Sequence, residues 1–205
     1  LRGRALNMYN RKERIKVAED TLKILETGKY TFSGQEINLF EQLKNSLNNT
    51  IVYSESEIES FKGAKITDSK NETTVVVTKN SVVTDVIIEA GENEVVTVLN
   101  FASARNAGGG FLNGSMAQEE AICYASGLYK TLQNQNKFYK NPKHFANGLY
   151  SHSMIYSPAV PIFKDSKGEL ISEPKFVNFI TSPAVNVKDL KAKGNKELLK
   201  LVDRT

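Results

Sequence analysis

The chain contains one cysteine, Cys123, and two histidines, His144 and His152, among its 205 residues. A lone thiol forms no internal disulfide, and one cysteine with two histidines falls short of a four-ligand zinc cage. Neither a metal nor a cofactor is expected. No apolar stretch approaches the roughly 20 residues of a membrane-spanning helix, and the basic N-terminus, LRGRALNMYNRKERIK, lacks the apolar core of a secretory leader. No Walker A sequence and no G-x-S-x-G elbow occurs, which argues against nucleoside triphosphatase and serine hydrolase chemistry. What is present, 40% hydrophobic and 24% charged residues, is the composition of a globular cytoplasmic protein.

The net charge of +4 divides unevenly, with −2 over residues 1–133 and +6 over 134–205. A basic C-terminal third attracts phosphate-bearing ligands. Its lysines are scattered and not interleaved with aromatics, so a solvated surface is expected and direct nucleic-acid binding is not.

Periodicity outlines the elements. Ile15, Ala18, Leu22 and Leu25 recur at helical spacing and predict a helix over 10–27 with Gly28 as its C-cap. A second helix is expected over Ile37–Leu47, and short strands over 51–53 and the β-branched run 73–78. Residues 81–90 fit strand or helix, and Val95–Phe101 reads as a strand buried on both faces. One helix is expected from Ala117 to Leu132, then a polar irregular stretch over 133–147. Strand-like pieces recur at 153–156, 160–163 and 176–181, and a helix at 188–202. The alternation predicts an α/β layered domain with the N-terminal helices as an added layer.

The chemistry concentrates in NFASARNAGGGFLNGSMAQEE, residues 100–120. A buried strand runs into Gly108, Gly109 and Gly110, and seven residues later into Gln118, Glu119 and Glu120 at a helix start. Glycines allow positive φ and let a ligand approach main-chain N–H groups, and open α/β sheets bind ligands at strand C-termini. Ser115 with Gln118 fits a capping box. Glu119 and Glu120 either offset the helix dipole or face the glycine-lined pocket as a carboxylate pair, the equipment for cleaving a glycosidic bond. A helix N-terminus favours the charged carboxylate, whereas a general acid must keep its proton. A neighbouring carboxylate and a dry pocket are expected to prevail for the residue facing the substrate. Cys123 is expected to be a buried small hydrophobe, His144 and His152 surface or structural residues, and Tyr150 and Tyr156 core or wall.

GGG, seven residues, then QEE resembles the signature of poly(ADP-ribose) glycohydrolases, and its surroundings resemble the bacterial, microbial type. AEDTLKILETGKY, the SAR-N-x-GGG lead-in, IYSPAVPIFKD and FITSPAVN stand in the same order as the blocks of that family, over most of residues 10–190. The resemblance implies a macrodomain-like three-layer α/β/α fold with a mixed sheet and an N-terminal helical extension. It divides a single domain, 1–205, into an N-terminal layer over 10–50 and an ADP-ribose-binding core over 73–205. The activity implied is hydrolysis of ribose–ribose O-glycosidic bonds in poly(ADP-ribose), releasing ADP-ribose. The partners implied are the polymer or ADP-ribosylated proteins.

By the same resemblance, Glu120 protonates the leaving ribose oxygen and then helps activate water, while Glu119 holds ribose hydroxyls. Asn106 hydrogen-bonds the distal ribose. Gly108, Gly109 and Gly110 let the backbone wrap that ribose and the diphosphate, and Gln118 shapes the loop. Thr181 to Asn186 line the cleft floor. In the family a further strand and a second glycine-rich loop with an aromatic residue follow the counterpart of 188–202. Here the sequence stops at Thr205, so a fragment is expected, and with it the alternative of an ADP-ribose-binding module without turnover.

Overall fold

The computed structural model describes residues 5–63, 73–75, 77, 83–89, 91, 94–146, 150–183, 185 and 191. The expected helix 188–202 and Asn186 lie outside the described residues, Lys191 excepted.

Helix α1 (Arg11–Thr27) starts at a capping box. Asn10 accepts from the Glu13 N–H at 3.0 Å, and the Glu13 carboxylate accepts from the Asn10 N–H at 2.7 Å. It ends at Gly28, φ 69°, whose N–H reaches the Ile24 carbonyl. The expected helix from Ile37 is corrected at its start. Ser33 and Gly34, at φ 49° and 85°, close a two-residue hairpin between β1 (Lys29–Phe32) and β2 (Gln35–Asn38). Only then does α2 (Phe40–Asn48) begin.

The main sheet is mixed, with the order β3 (Ile51–Tyr53), β5 (Met154–Lys164), β6 (Leu170–Pro183), β4 (Thr97–Ala102). Strand β5 is antiparallel to β3 and β6, whereas β4 runs parallel to β6. The three strand-like pieces near the C-terminus thus merge into two long strands. Pro158 is accommodated by a register shift between Ser157 and Val160, with Ala159 at φ 48°. Between β3 and β4 come α3 (Glu55–Ser60) and α4 (Val83–Glu89), the latter resolving the ambiguous segment as helix. Residues 73–75 and 77 form no strand, and Val75 and Val77 are exposed, so the β-branched run does not act as expected where it is described.

The expected helix 117–132 is two helices, α5 (Gln118–Ala125) and α6 (Leu128–Leu132). Ser126 between them is extended and bridges to Ile162, and the Gly127 N–H donates to the Pro161 carbonyl. A Cβ on Gly127 would meet Leu43 at 2.8 Å. The stretch expected to be irregular holds α7 (Asn136–Tyr139) and α8 (Lys143–Ala146).

The core lies between α5–α7 and one sheet face. It includes Phe111, Ile122, Tyr124, Leu128 and Phe138 against Ile155, Val160, Ile162, Val177 and Phe179. Burying each of these side chains contributes about 1.5–3 kcal/mol. On the opposite face Ile51, Tyr156, Ile180 and Leu99 form a row across the four strands. Strand β4 is therefore not buried on both faces: Leu99 and Phe101 are 43% and 59% exposed, while Asn100 and Ala102 point into the core. Among the described residues no helix is long and apolar enough to cross a membrane.

Lys164 is buried at the end of β5, where its ammonium donates to Thr21 Oγ1 at 2.8 Å and the Val17 carbonyl at 3.3 Å. Burial lowers its pKa from 10.5 to about 8, against the pull of Asp20. A depressed folded-state lysine pKa means that the unfolded chain binds more protons between those values, so stability rises with pH across that window. Lys164→Met removes the penalty, which is on the order of 3 kcal/mol below pH 8. Melting temperatures should show the variant ahead of wild type at pH 7 and the gap closing toward pH 10. A gap constant with pH would place the effect elsewhere.

Candidate active site

The chain leaves β4 at Ala102 and turns at once. Ser103 Oγ accepts from the N–H groups of Arg105 and Asn106 at 3.3 and 3.1 Å. Gly108 and Gly109 then adopt φ 68° and 59°, and the Gly109 N–H returns to the Asn106 carbonyl. A single 3-10 turn over Phe111–Asn113 ends at Gly114, φ 71°. Phe111 is fully buried, its ring 5.1 Å from Tyr124 and 5.2 Å from Tyr129, and so anchors the loop in the core.

Helix α5 begins at Gln118 with Ala117 as N-cap, so the expected capping box from Ser115 is not formed. The side chains of Gln118, Glu119 and Glu120 instead hold three different pieces of backbone. Gln118 donates to the Leu99 carbonyl at 2.9 Å and accepts from the Phe101 N–H at 2.8 Å, gripping β4. Glu119 Oε2 accepts from the Ser103 N–H at 2.8 Å. Glu120 Oε1 accepts from the Gly110 N–H at 2.7 Å. An ideal Cβ on Gly109 would lie 2.5 Å from Glu120 Oε1 and 3.0 Å from Glu119 Oε2. Glycine at this position is therefore what brings the loop onto both carboxyl groups.

Both carboxyl groups are sunk in the protein: Glu119 is 3% and Glu120 7% exposed. Glu119 Oε1 and Glu120 Oε2 each lack a hydrogen-bond partner, as do the neighbouring buried Asn100 Oδ1 and Tyr139 hydroxyl. A buried polar atom left unpaired is costly, so such atoms mark where a polar ligand would be welcome. Burial pushes the Glu119 pKa up to about 7, with the Glu120 charge adding to the rise and the Ser103 N–H opposing it. Burial also raises the Cys123 thiol, consistent with its role as a core hydrophobe.

A cavity of about 690 Å³ opens beside the loop, lined by Ser103, Arg105, Asn106, Gly109, Gly110 and Glu120. The structure thus brings four of the expected site residues, Asn106, Gly109, Gly110 and Glu120, to one cavity. Gly108 lies behind it, where a Cβ would press on Tyr129 and Cys123. Thr181 is fully buried and accepts from Asn100 Nδ2 at 3.2 Å, a support beneath the site rather than an exposed floor.

Sequence reasoning missed the remaining lining residues, Tyr129, Gln133, Asn136 and Tyr139: the first lies in an expected helix with no sign of a site role, and the others fall in the stretch expected to be irregular. It also left His144 without a specific partner. That ring is fully buried; its Nδ1–H donates to the Ala104 carbonyl at 3.0 Å, and Nε2 accepts the Ser151 hydroxyl at 2.9 Å. Burial lowers its pKa, which favours this neutral form. Arg105 Nε donates in turn to the His144 carbonyl. The start of the glycine loop is therefore tied to α8.

A glycine loop at the C-terminal end of a sheet strand, with a sunken carboxyl pair beneath it, defines a ligand-binding α/β protein. Comparison with known proteins identifies the family. The model for the catalytic domain of microbial-type PARG, poly(ADP-ribose) glycohydrolase, matches residues 18–165, and the chain belongs to that family. The structure of poly(ADP-ribose) glycohydrolase from Thermomonospora curvata matches with a TM-score of 0.81 at 36% identity, over 87% of this chain and 66% of that one. The same protein bound to the inhibitor ADP-HPD matches with a TM-score of 0.78 at 35% identity, over 87% and 65%. The Deinococcus radiodurans glycohydrolase in complex with ADP-ribose matches at 0.69 and 32% identity, over 83% and 66%. The chain thus spans just under two thirds of the length of these structures. No curated protein sequence matches it.

Proposed function

We propose that this chain is a glycosidase that hydrolyses the ribose–ribose O-glycosidic bonds of poly(ADP-ribose) and releases ADP-ribose. The observation that carries the reading is the Glu120 carboxyl group on the cavity wall. One of its oxygens is held by the Gly110 N–H, the other is unpartnered, and Asn106 lines the same cavity. In the proposed reaction the Glu120 carboxyl group donates a proton to the leaving ribose oxygen as the C1–O bond breaks. Water then adds to the oxocarbenium-like carbon and returns its proton to Glu120. Glu119 holds ribose hydroxyls, and its buried carboxyl group limits the negative charge beneath the sugar. Asn106 contacts the distal ribose, and Gly108 to Gly110, lacking side chains, let the backbone wrap that ribose and the diphosphate. Gln118 fixes the loop to β4, and Thr181 supports the cleft from beneath. These residues act without a metal or cofactor. The substrate is the polymer or an ADP-ribosylated protein, and the setting is the cytoplasm, where a buried free Cys123 stays reduced.

Calorimetry should show ADP-ribose binding more tightly than AMP, because AMP lacks the distal ribose. Equal affinities would remove the assignment. Incubation with poly(ADP-ribose) should release ADP-ribose, whereas binding without release would make the chain a reader of the ligand.

A further inference from the structure

The N-terminal helix α1 was expected only as an added layer, yet it reaches the far end of the glycine loop with two arginines. Arg14 Nε donates to the Gly114 carbonyl at 2.7 Å, and its Nη1 donates to the Tyr9 carbonyl. Arg11 Nε donates to the Asn113 carbonyl at 2.7 Å. Contact is close enough that a Cβ on Gly114 would collide with the Arg11 carbonyl. The Arg14 guanidinium also bears on the Tyr124 hydroxyl, which donates to the Ser115 carbonyl at 2.8 Å.

These ties lead back to the carboxyl pair through the backbone. The N–H groups of Asn113 and Ser115 both donate to the Gly110 carbonyl, at 2.9 and 3.1 Å. The Gly110 N–H in turn holds Glu120 Oε1. A loop with positive φ at Gly108, Gly109 and Gly114 has little stiffness of its own, so its geometry depends on what grips its ends. Ser103 and Glu119 grip the start, and the α1 arginines grip the finish.

We infer that Arg14, assisted by Arg11, is a positioning residue for the reaction: from α1 it sets the 110–115 backbone and, through the Gly110 N–H, the orientation of Glu120. Its rigid planar fork donates to two carbonyl groups in a fixed geometry, which the compact ammonium of a lysine on its flexible stem holds less firmly. The inference rests on the glycohydrolase reading for its catalytic consequence, but the backbone ordering can be read without turnover.

The test compares wild type, Arg14→Met, Arg14→Lys and the exposed control Lys12→Met. Amide hydrogen exchange is followed by NMR, and kcat and KM are measured on poly(ADP-ribose). In Arg14→Met the amides of 110–115 should exchange faster while those of Val177 and Phe179 in β6 keep their protection. The value of kcat should fall roughly 10- to 100-fold, as expected of small displacements at a reacting group, with KM changed much less. Arg14→Lys should fall between, and added guanidinium should restore part of the kcat of Arg14→Met. Unchanged exchange at 110–115 overturns the inference whether or not the protein turns over. So does protection lost equally in the sheet, which would make Arg14 a general structural residue. Wild-type inactivity with selective loosening of 110–115 would remove the glycohydrolase reading and leave the positioning of the loop standing.

Discussion

Glu120→Gln is expected to lower the single-turnover rate on poly(ADP-ribose) by roughly 10²–10⁴-fold while leaving ADP-ribose affinity nearly intact. The amide keeps the size of the side chain and can still accept from the Gly110 N–H, but it has no acidic proton to give. Glu119→Gln should behave differently. Its side chain sits deeper, accepts from the Ser103 N–H and has an unpartnered second oxygen, so the loss should appear in affinity as well as rate. The two variants also separate in stability. The Glu119 pKa is raised from 4.5 to about 7, so the folded state holds more protons than the unfolded state between those values. Stability contributed at this site is therefore lost as pH rises through that window, by on the order of 3 kcal/mol once above it. Glu119→Gln should melt above wild type at pH 8 and close to it at pH 4. Full activity in Glu120→Gln would overturn the catalytic assignment, and collapse of folding in both variants would reduce the pair to a structural role.

Gly109→Val is expected to abolish detectable ADP-ribose binding while the fold survives. Two penalties act together. A β-branched residue at φ 59° costs about 1–3 kcal/mol in backbone strain. Its Cβ would also lie 2.5 Å from Glu120 Oε1 and 3.0 Å from Glu119 Oε2, so either the loop lifts or both carboxyl groups turn away. The rest of the core contains none of these atoms, and thermal melting should remain cooperative. Calorimetry with ADP-ribose, alongside circular dichroism, checks both halves. Wild-type affinity in the variant would show that the loop is only a connector.

Much of this site was legible because its chemistry is local. The Gly108–Gly110 run and Gln118–Glu120 lie within thirteen residues, and a strand followed closely by glycines places them at the rim of a sheet whatever the remainder does. The capping box at Ser115 was misread because its signature is also local, and a competing long-range demand prevailed. Gln118 is used to grip Leu99 and Phe101 of β4, which starts the helix at Gln118 itself. The break at Ser126 and Gly127 was invisible for the same reason: apolar spacing runs through it, and only the pairing with Ile162 and Pro161 interrupts the helix.

Residue order alone is enough to place the chain in its family, since the glycine run, the two adjacent acids and the surrounding blocks resemble microbial-type poly(ADP-ribose) glycohydrolases, whose model the chain matches. It also determined the start and end of α1, where Asn10, Glu13 and Gly28 act on backbone groups only a few residues away. Tertiary contacts were needed to show which residues line the cavity with Glu120, that burial drives the Glu119 carboxyl group toward its neutral form, and which distant side chains steady the loop. Those properties depend on desolvation and on contacts such as Arg14 to Gly114 and His144 to Ala104, separated by 100 and 40 residues along the chain. Periodicity and propensity report what a segment does with its neighbours in sequence, whereas burial and charge coupling exist only once remote segments have met.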